Sequence, residues 1–127
     1  MKNIFKFMCV LLFFVQNCYG MDGNTLYQLC KTSIDVMDNN GYPTDYYTAN
    51  VQESSAGACV GYIAGVNDGY ELTPISRTLK PYCLEDNVNY NQELRIVVKY
   101  LNDNPQLLNL NGNVIILDAL SNAFPCK

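Results

Sequence analysis

The stretch NYNQELRIVVKYLNDNP, residues 89–105, together with the apolar run after it, decides the fold. Asn89 and Gln92 have the spacing of a capping box, which begins a helix. Apolar side chains then recur at three- and four-residue intervals, which is typical of a helix that buries one face. The predicted buried positions of this helix are Leu94, Val97, Val98 and Leu101.

A fourth helix is predicted after a connection of only a few residues. Pro105 stands where the first turn of a helix tolerates proline, and Pro125 ends the segment. We expect the Asn-Gly-Asn sequence at 111–113 to weaken its middle and kink it. Because so short a connection makes neighbouring helices antiparallel, the third and fourth helices are expected to pack side by side. The predicted apolar stripe is Leu107, Leu110, Val114, Leu117, Leu120 and Phe124.

Two further helices are predicted upstream. The first begins at a cap, Asp22 or Asn24, and stops at the residues 39–41, Asn-Asn-Gly. The second runs from about Ser54 to about Tyr70. Residues 42–53 show no reliable period and are interpreted as a loop, as are residues 71–86, which two prolines interrupt. The fold class is therefore all-α, a small disulfide-stapled bundle of about four helices.

The second helix carries glycine at every fourth position. A glycine inside a helix costs roughly 1 kcal/mol relative to alanine, so such a row needs a compensating use. We expect it to let another helix of the same chain approach closely. The four positions are Gly57, Gly61, Gly65 and Gly69.

Residues 1–20 have the features of an export signal. Two lysines precede an apolar run of roughly nine residues, which is too short to span a bilayer, where about 20 are needed. Cleavage after Gly20 would leave a single domain, residues 21–127, without a further membrane span. An alternative makes Cys18 a lipidated N-terminus, for which the preceding Asn17 is a poor fit.

The four cysteines of the exported domain indicate two disulfides, for which three pairings are formally possible. Antiparallel packing of the last two helices brings Cys83, before the third helix, close to Cys126, after the fourth. The same reasoning joins Cys30 in the first helix with Cys59 in the second. These two pairings are the prediction.

Charge and composition exclude several classes of function. Removal of the signal leaves six basic residues against twelve acidic ones, a net charge of −6. Such a surface repels nucleic acid and anionic membranes, and it suits either simple solubility or a basic protein partner. The chain has no histidine, which removes the usual catalytic triads and histidine zinc sites. No enzymatic activity, cofactor or metal site is expected.

Three ordered motifs give the chain a family resemblance. They are C-x-G-Y-I-x-G at residues 59–65, V-x-Y-L-x-x-x-P at 98–105 and A-L-x-x-A-F-P-C at 119–126. Together they resemble the Rap/Tai family of immunity proteins, which accompany amidase effectors of the type VI secretion system. The resemblance implies a periplasmic, all-helical and commonly dimeric protein that binds its cognate amidase and blocks the active site.

Tyrosines mark the predicted contact surface for that partner. The chain has ten of them, and tyrosine is enriched at protein interfaces, although these rings could equally pack over the ends of the bundle. We place the partner contacts on the two long loops. The predicted contact residues are Tyr46, Tyr47, Tyr70, Glu71, Arg77, Tyr82, Glu85 and Asp86.

A periplasmic stress chaperone that binds unfolded proteins is the alternative function. Export, small size, helices and disulfides fit it equally well. An acid-activated chaperone would favour several carboxylates on the buried helix faces, whereas the apolar stripes predicted here carry none. The sequence therefore favours the immunity protein.

Overall fold

The computed structural model describes residues 20–38, 46–74 and 80–126, and of residues 46–48, 51 and 52 the backbone alone. Within these residues the chain forms four α-helices, a short 3-10 turn and no extended strand. The predicted signal peptide lies outside the described residues, apart from Gly20. The elements are α1 Gly23–Met37, α2 Tyr46–Glu71, α3 Tyr90–Asp103, the 3-10 turn Pro105–Leu107 and α4 Gly112–Ala123.

Side-chain caps fix where three of the helices begin. The carboxylate of Asp22 accepts a 2.8 Å hydrogen bond from the backbone N–H of Thr25, which lowers the pKa of Asp22. The side chain of Asn89 accepts from the backbone N–H of Gln92 at 3.0 Å, as the capping-box spacing predicts. Asn111 accepts in the same way from Asn113. Each cap satisfies an N–H that the helix itself leaves without a partner.

One hydrophobic core lies between the four helices. α1 packs most extensively against α2, and α3 contacts each of the other three helices. The predicted stripe of α3 is confirmed, since all four of its members are buried. The buried apolar residues are Leu26, Cys30, Cys59, Ile63, Leu94, Val97, Val98, Leu101, Ile115, Ile116, Ala119 and Leu120.

Both disulfides join the predicted partners. Cys30 of α1 and Cys59 of α2 are fully buried, with 5.0 Å between their Cα atoms. Cys83 precedes α3 and Cys126 follows α4, again with 5.0 Å between the Cα atoms, and both residues are exposed. The loops that these bonds close span 29 and 43 residues, and such loops are worth about 3.5 to 4 kcal/mol each on the chain-entropy model. The all-α, disulfide-stapled fold is confirmed.

Residues 46–53 form the first two turns of α2, so the prediction of a loop over 42–53 is wrong for this part. The remaining residues of that loop, 42–45, lie outside the described residues. Of the side chains described in this part, those of Asn50 and Glu53 are exposed. A helix continued from a well-packed segment needs no apolar face of its own.

α4 begins at Gly112 and not at Pro105, which corrects the predicted start and removes the predicted kink. Pro105 opens the 3-10 turn instead, and Asn111 caps the helix. The later start shifts the buried face. Leu110 and Val114, predicted to be buried, are 42% and 47% exposed, while Ile115 and Ile116 are fully buried.

The glycine row of α2 has no close partner, so the prediction that it admits another helix of this chain is wrong. A Cβ atom built on any of the four glycines would meet nothing within 4 Å. The close approach occurs elsewhere. A Cβ on Gly23 would collide with Ile115 and lie 2.9 Å from the carbonyl oxygen of Leu108.

Gly23 lies where the start of α1 is joined to the segment before α4. Its N–H donates to the carbonyl of Leu110 at 2.8 Å, and the N–H of Asn24 donates to Leu108 at 2.9 Å. The N–H of Gly112 donates to the carbonyl of Met21 at 2.7 Å. These bonds satisfy N–H groups at the beginnings of both helices and hold the first residues of the domain against α4.

Candidate functional site

A groove lies between the end of α2 and the extended segment that precedes α3. Tyr70 and Glu71, the last residues of α2, line one side. Residues 80–84 line the other, with Tyr82 and Leu84 among them. We call this surface the α2-end groove. It is lined by Tyr70, Glu71, Lys80, Pro81, Tyr82, Cys83 and Leu84.

Residues 80–84 are held to the bundle at two points. At Cys83, the N–H donates to the carbonyl of Phe124 at 2.9 Å, and the side chain is joined to Cys126. At Tyr82, the hydroxyl donates to Oδ1 of Asn67 on α2 at 2.6 Å. A segment without helical hydrogen bonds is thus fixed by a covalent bond and a side-chain bond, so the groove has a defined shape before any partner binds.

The hydrogen bond of Tyr82 continues into the core. Nδ2 of Asn67 donates to Oε2 of Glu93 at 2.7 Å, and Glu93 is only 2% exposed. Burial raises the pKa of Glu93, although the bond from Asn67 opposes the change. Burial, together with the negative charges of Glu93 and Glu71 and with Tyr70, raises the pKa of Tyr82 to about 12. Tyr82 therefore stays protonated, and able to donate, at any physiological pH.

The sequence prediction of apolar stripes without acids is wrong at Glu93, which lies on the buried face of α3. The spacing of four residues to Val97 puts both on one helix face, and this signal could have identified Glu93. A single buried carboxylate still falls short of the several that an acid-activated chaperone would favour.

The α2-end groove combines apolar and acidic surface. Leu72, immediately after α2, is 86% exposed, and Leu84 within the groove is also exposed. The acidic residues Asp68, Glu71, Glu85 and Asp86, all of them exposed, line the groove or lie within a few residues of its lining in sequence, and Lys80 is the cation that lines it. An exposed leucine beside aromatic and acidic side chains is typical of a surface that binds a protein with a basic patch.

The structure brings together some of the predicted contact residues and separates others. Tyr70, Glu71 and Tyr82 line the groove, and Glu85 and Asp86 are exposed just beyond Leu84. Tyr46 and Tyr47 begin α2, so at 1.5 Å per residue they lie about 36 Å from Tyr70 along the helix. Arg77 lies outside the described residues. The predicted set therefore does not form one continuous patch.

Sequence reasoning did not identify Leu72, Leu84 or Asn67 as parts of this site. A lone leucine after a helix carries no signal of exposure, because most leucines are buried. Asn67 lies one turn before Glu71 on α2. Its role depends on two long-range partners that no local pattern reveals.

A second groove runs along the open glycine row between α2 and α4. Gly61, Gly65 and Gly69 form its floor, with Val66 and Leu117 beside them. The hydroxyl of Tyr62 donates to Oδ1 of Asn113 at 2.6 Å across the end of this groove. This side chain bridges the two helices.

The described residues include no group of three or more histidine, cysteine or acidic side chains that could hold a metal ion. None of the described helices combines the length and the apolar character needed to cross a bilayer. What the α2-end groove offers is shape, apolar area and charge.

Comparison with known families gives a match that covers almost all of the described chain. Residues 22–126 match the family described as Rap1a immunity proteins. A search of curated proteins gives no match. The matched range contains all four helices and both disulfides.

Proposed function

The chain belongs to the Rap1a immunity protein family, and from this we propose that it binds and inhibits a peptidoglycan amidase delivered by type VI secretion, protecting the cell that makes it. Membership in the family supports the coarser part, an immunity protein against a secreted effector. The amidase, the secretion system and the periplasmic site of action are our proposal. It acts by binding and catalyses no reaction.

The single observation that carries the proposal, beside the family, is the preformed α2-end groove. The side formed by residues 80–84 is fixed by the Cys83–Cys126 bond and by the bond between Tyr82 and Asn67, and the other side is the end of α2. A fixed groove with exposed leucines and an acidic rim binds a protein without a large ordering cost. We infer that the groove contacts a basic surface near the effector's active-site cleft.

Two disulfides support a periplasmic location, because such bonds form and persist in oxidising compartments. We propose that residues 1–20 direct export and are removed, so that the working protein is residues 21–127. The homodimeric state implied by the family resemblance also belongs to this proposal. Light scattering of the purified residues 21–127 would give their mass in solution directly.

The test is inhibition of an amidase effector whose gene adjoins that of this chain. Purified residues 21–127 should abolish its hydrolysis of isolated peptidoglycan near equimolar ratio. Leu72→Arg, which puts a positive charge beside the groove, should weaken binding at least tenfold. Lys99→Ala, at an exposed position on α3 where the lysine pairs with Asp103, is the control and should bind like the wild type. Equal binding by both variants would contradict the placement of the contact surface.

A further inference from the structure

We propose that Glu93 is a positioning residue for the α2-end groove: buried beneath it, Glu93 orients Asn67, and Asn67 holds the Tyr82 side of the groove in place. The consequence for partner binding depends on the proposed function. The consequence for the groove itself does not.

The three side chains form one line of hydrogen bonds from the core to the surface. Glu93 lies in the first turn of α3 and accepts from Asn67 Nδ2 at 2.7 Å. Asn67 lies on α2 and accepts from the Tyr82 hydroxyl through Oδ1 at 2.6 Å. Glu93 of α3 thus acts on residues 80–84 through Asn67, a side chain of a different helix, α2.

With Glu93 ionised, the chemistry of the groups selects the observed orientation of the Asn67 amide at its Glu93 end. An ionised carboxylate only accepts hydrogen bonds, so it faces the NH₂ end of the Asn67 amide and not the oxygen. That orientation turns Oδ1 towards Tyr82, whose hydroxyl must then donate. A flipped amide would set two oxygens against each other at Glu93, whereas the Tyr82 hydroxyl can accept as well as donate and so follows the orientation that Glu93 sets.

This orientation accounts for a carboxylate in a core that is made up mostly of apolar residues. Burial disfavours the charged form of Glu93 and raises its pKa. An apolar residue would fill the space without that cost, but it would leave the Asn67 amide free to turn. The charged group therefore weakens the core slightly and defines the groove above it.

The first experiment needs no partner and compares two substitutions at one position. Glu93→Leu removes the acceptor, whereas Glu93→Gln keeps an oxygen that can accept from Asn67. Amide hydrogen exchange of Cys83, whose N–H donates to the carbonyl of Phe124, should be at least tenfold faster in Glu93→Leu and within threefold of wild type in Glu93→Gln. Val97→Ala, a fully buried change one turn along the same helix, should leave the Cys83 amide within threefold of wild type.

A second variant guards against a Glu93→Leu protein that fails to fold. Tyr82→Phe removes only the hydroxyl at the outer end of the line and should also speed exchange of the Cys83 amide at least tenfold. The positioning role would be overturned by exchange that is unchanged in Tyr82→Phe. It would also be overturned if Glu93→Gln and Val97→Ala accelerated exchange as much as Glu93→Leu does.

The third measurement is the affinity for the adjoining amidase effector. Glu93→Leu should bind at least tenfold more weakly, with Glu93→Gln and Val97→Ala within threefold of wild type. Wild-type affinity in a Glu93→Leu protein with a loosened groove would overturn the link to binding. If the wild-type protein itself does not bind the effector, the proposed function fails, while the exchange result still decides the positioning role.

Discussion

The hydroxyl of Tyr82 lies 2.6 Å from Oδ1 of Asn67, and this bond ties the segment before α3 to the side of α2. Tyr82 is half-buried, so removal of its hydroxyl leaves Oδ1 of Asn67 as an acceptor that water reaches poorly. The bond therefore serves both the stability of the bundle and the shape of its surface.

Tyr82→Phe should lower the free energy of unfolding by about 1 to 2 kcal/mol, the usual cost of leaving a partly buried hydrogen-bonding group without its partner. Tyr27→Phe is the matched control, because the Tyr27 hydroxyl donates to Asn102 at an exposed site. It should cost less than about 0.5 kcal/mol. Urea denaturation of both variants measures the difference, and equal losses would contradict the structural role of Tyr82.

Glu93→Gln should stabilise the protein at neutral pH and lose that advantage in acid. The folded state raises the pKa of Glu93 above its unfolded value. The stabilisation of the folded protein by protonated Glu93 is therefore complete below the pKa of the unfolded state, about 4.3. It is lost as pH rises through the pKa of the folded state. Unfolding measured from pH 4 to pH 8 should show the variant and the wild type diverging with rising pH. Parallel curves would show that folding does not change the pKa of Glu93.

Two glycine substitutions should act in opposite directions. Gly65→Ala should stabilise by roughly 0.5 to 1 kcal/mol, because its Cβ meets nothing within 4 Å and alanine favours the helix. Gly23→Ala should destabilise by about 1 to 3 kcal/mol, because its Cβ would collide with Ile115. Thermal unfolding compares the pair. A destabilising Gly65→Ala would mean that another chain or segment already occupies the glycine face.

The two disulfides should differ in their susceptibility to reduction. Cys83 and Cys126 are exposed, whereas Cys30 and Cys59 are fully buried, and thiol–disulfide exchange needs access to a sulfur atom. Mild treatment of the folded protein with dithiothreitol, followed by alkylation and mass spectrometry, should label Cys83 and Cys126 first. Simultaneous labelling of all four cysteines would show that reduction proceeds through global unfolding.

Local sequence signals located the helices wherever a cap and an apolar stripe coincide. α3 has both, at Asn89 and at Leu94 to Leu101, and its prediction was confirmed. The start of α4 was misplaced because proline at 105 fits a first helical turn as well as it fits the 3-10 turn that it forms. The cap at Asn111 was instead interpreted as a weak helix interior.

The disulfide pairing followed from topology, because short connections leave few choices for which ends meet. The site was harder to predict. Tyr70, Glu71 and Tyr82 were identified by residue type, but their neighbours Leu72, Asn67 and Glu93 depend on how α2, α3 and residues 80–84 meet. No periodic pattern contains that information, since the contacts are spread over distant parts of the chain.

The central claim is that the protein works by binding an effector through the α2-end groove. Its most direct test is a titration of peptidoglycan hydrolysis by the adjoining amidase effector with purified residues 21–127 and with the Leu72→Arg variant. We predict that the wild-type protein abolishes hydrolysis near one molecule per effector molecule. The variant should inhibit at least tenfold more weakly. Undiminished hydrolysis at a large excess of the wild-type protein would contradict the account.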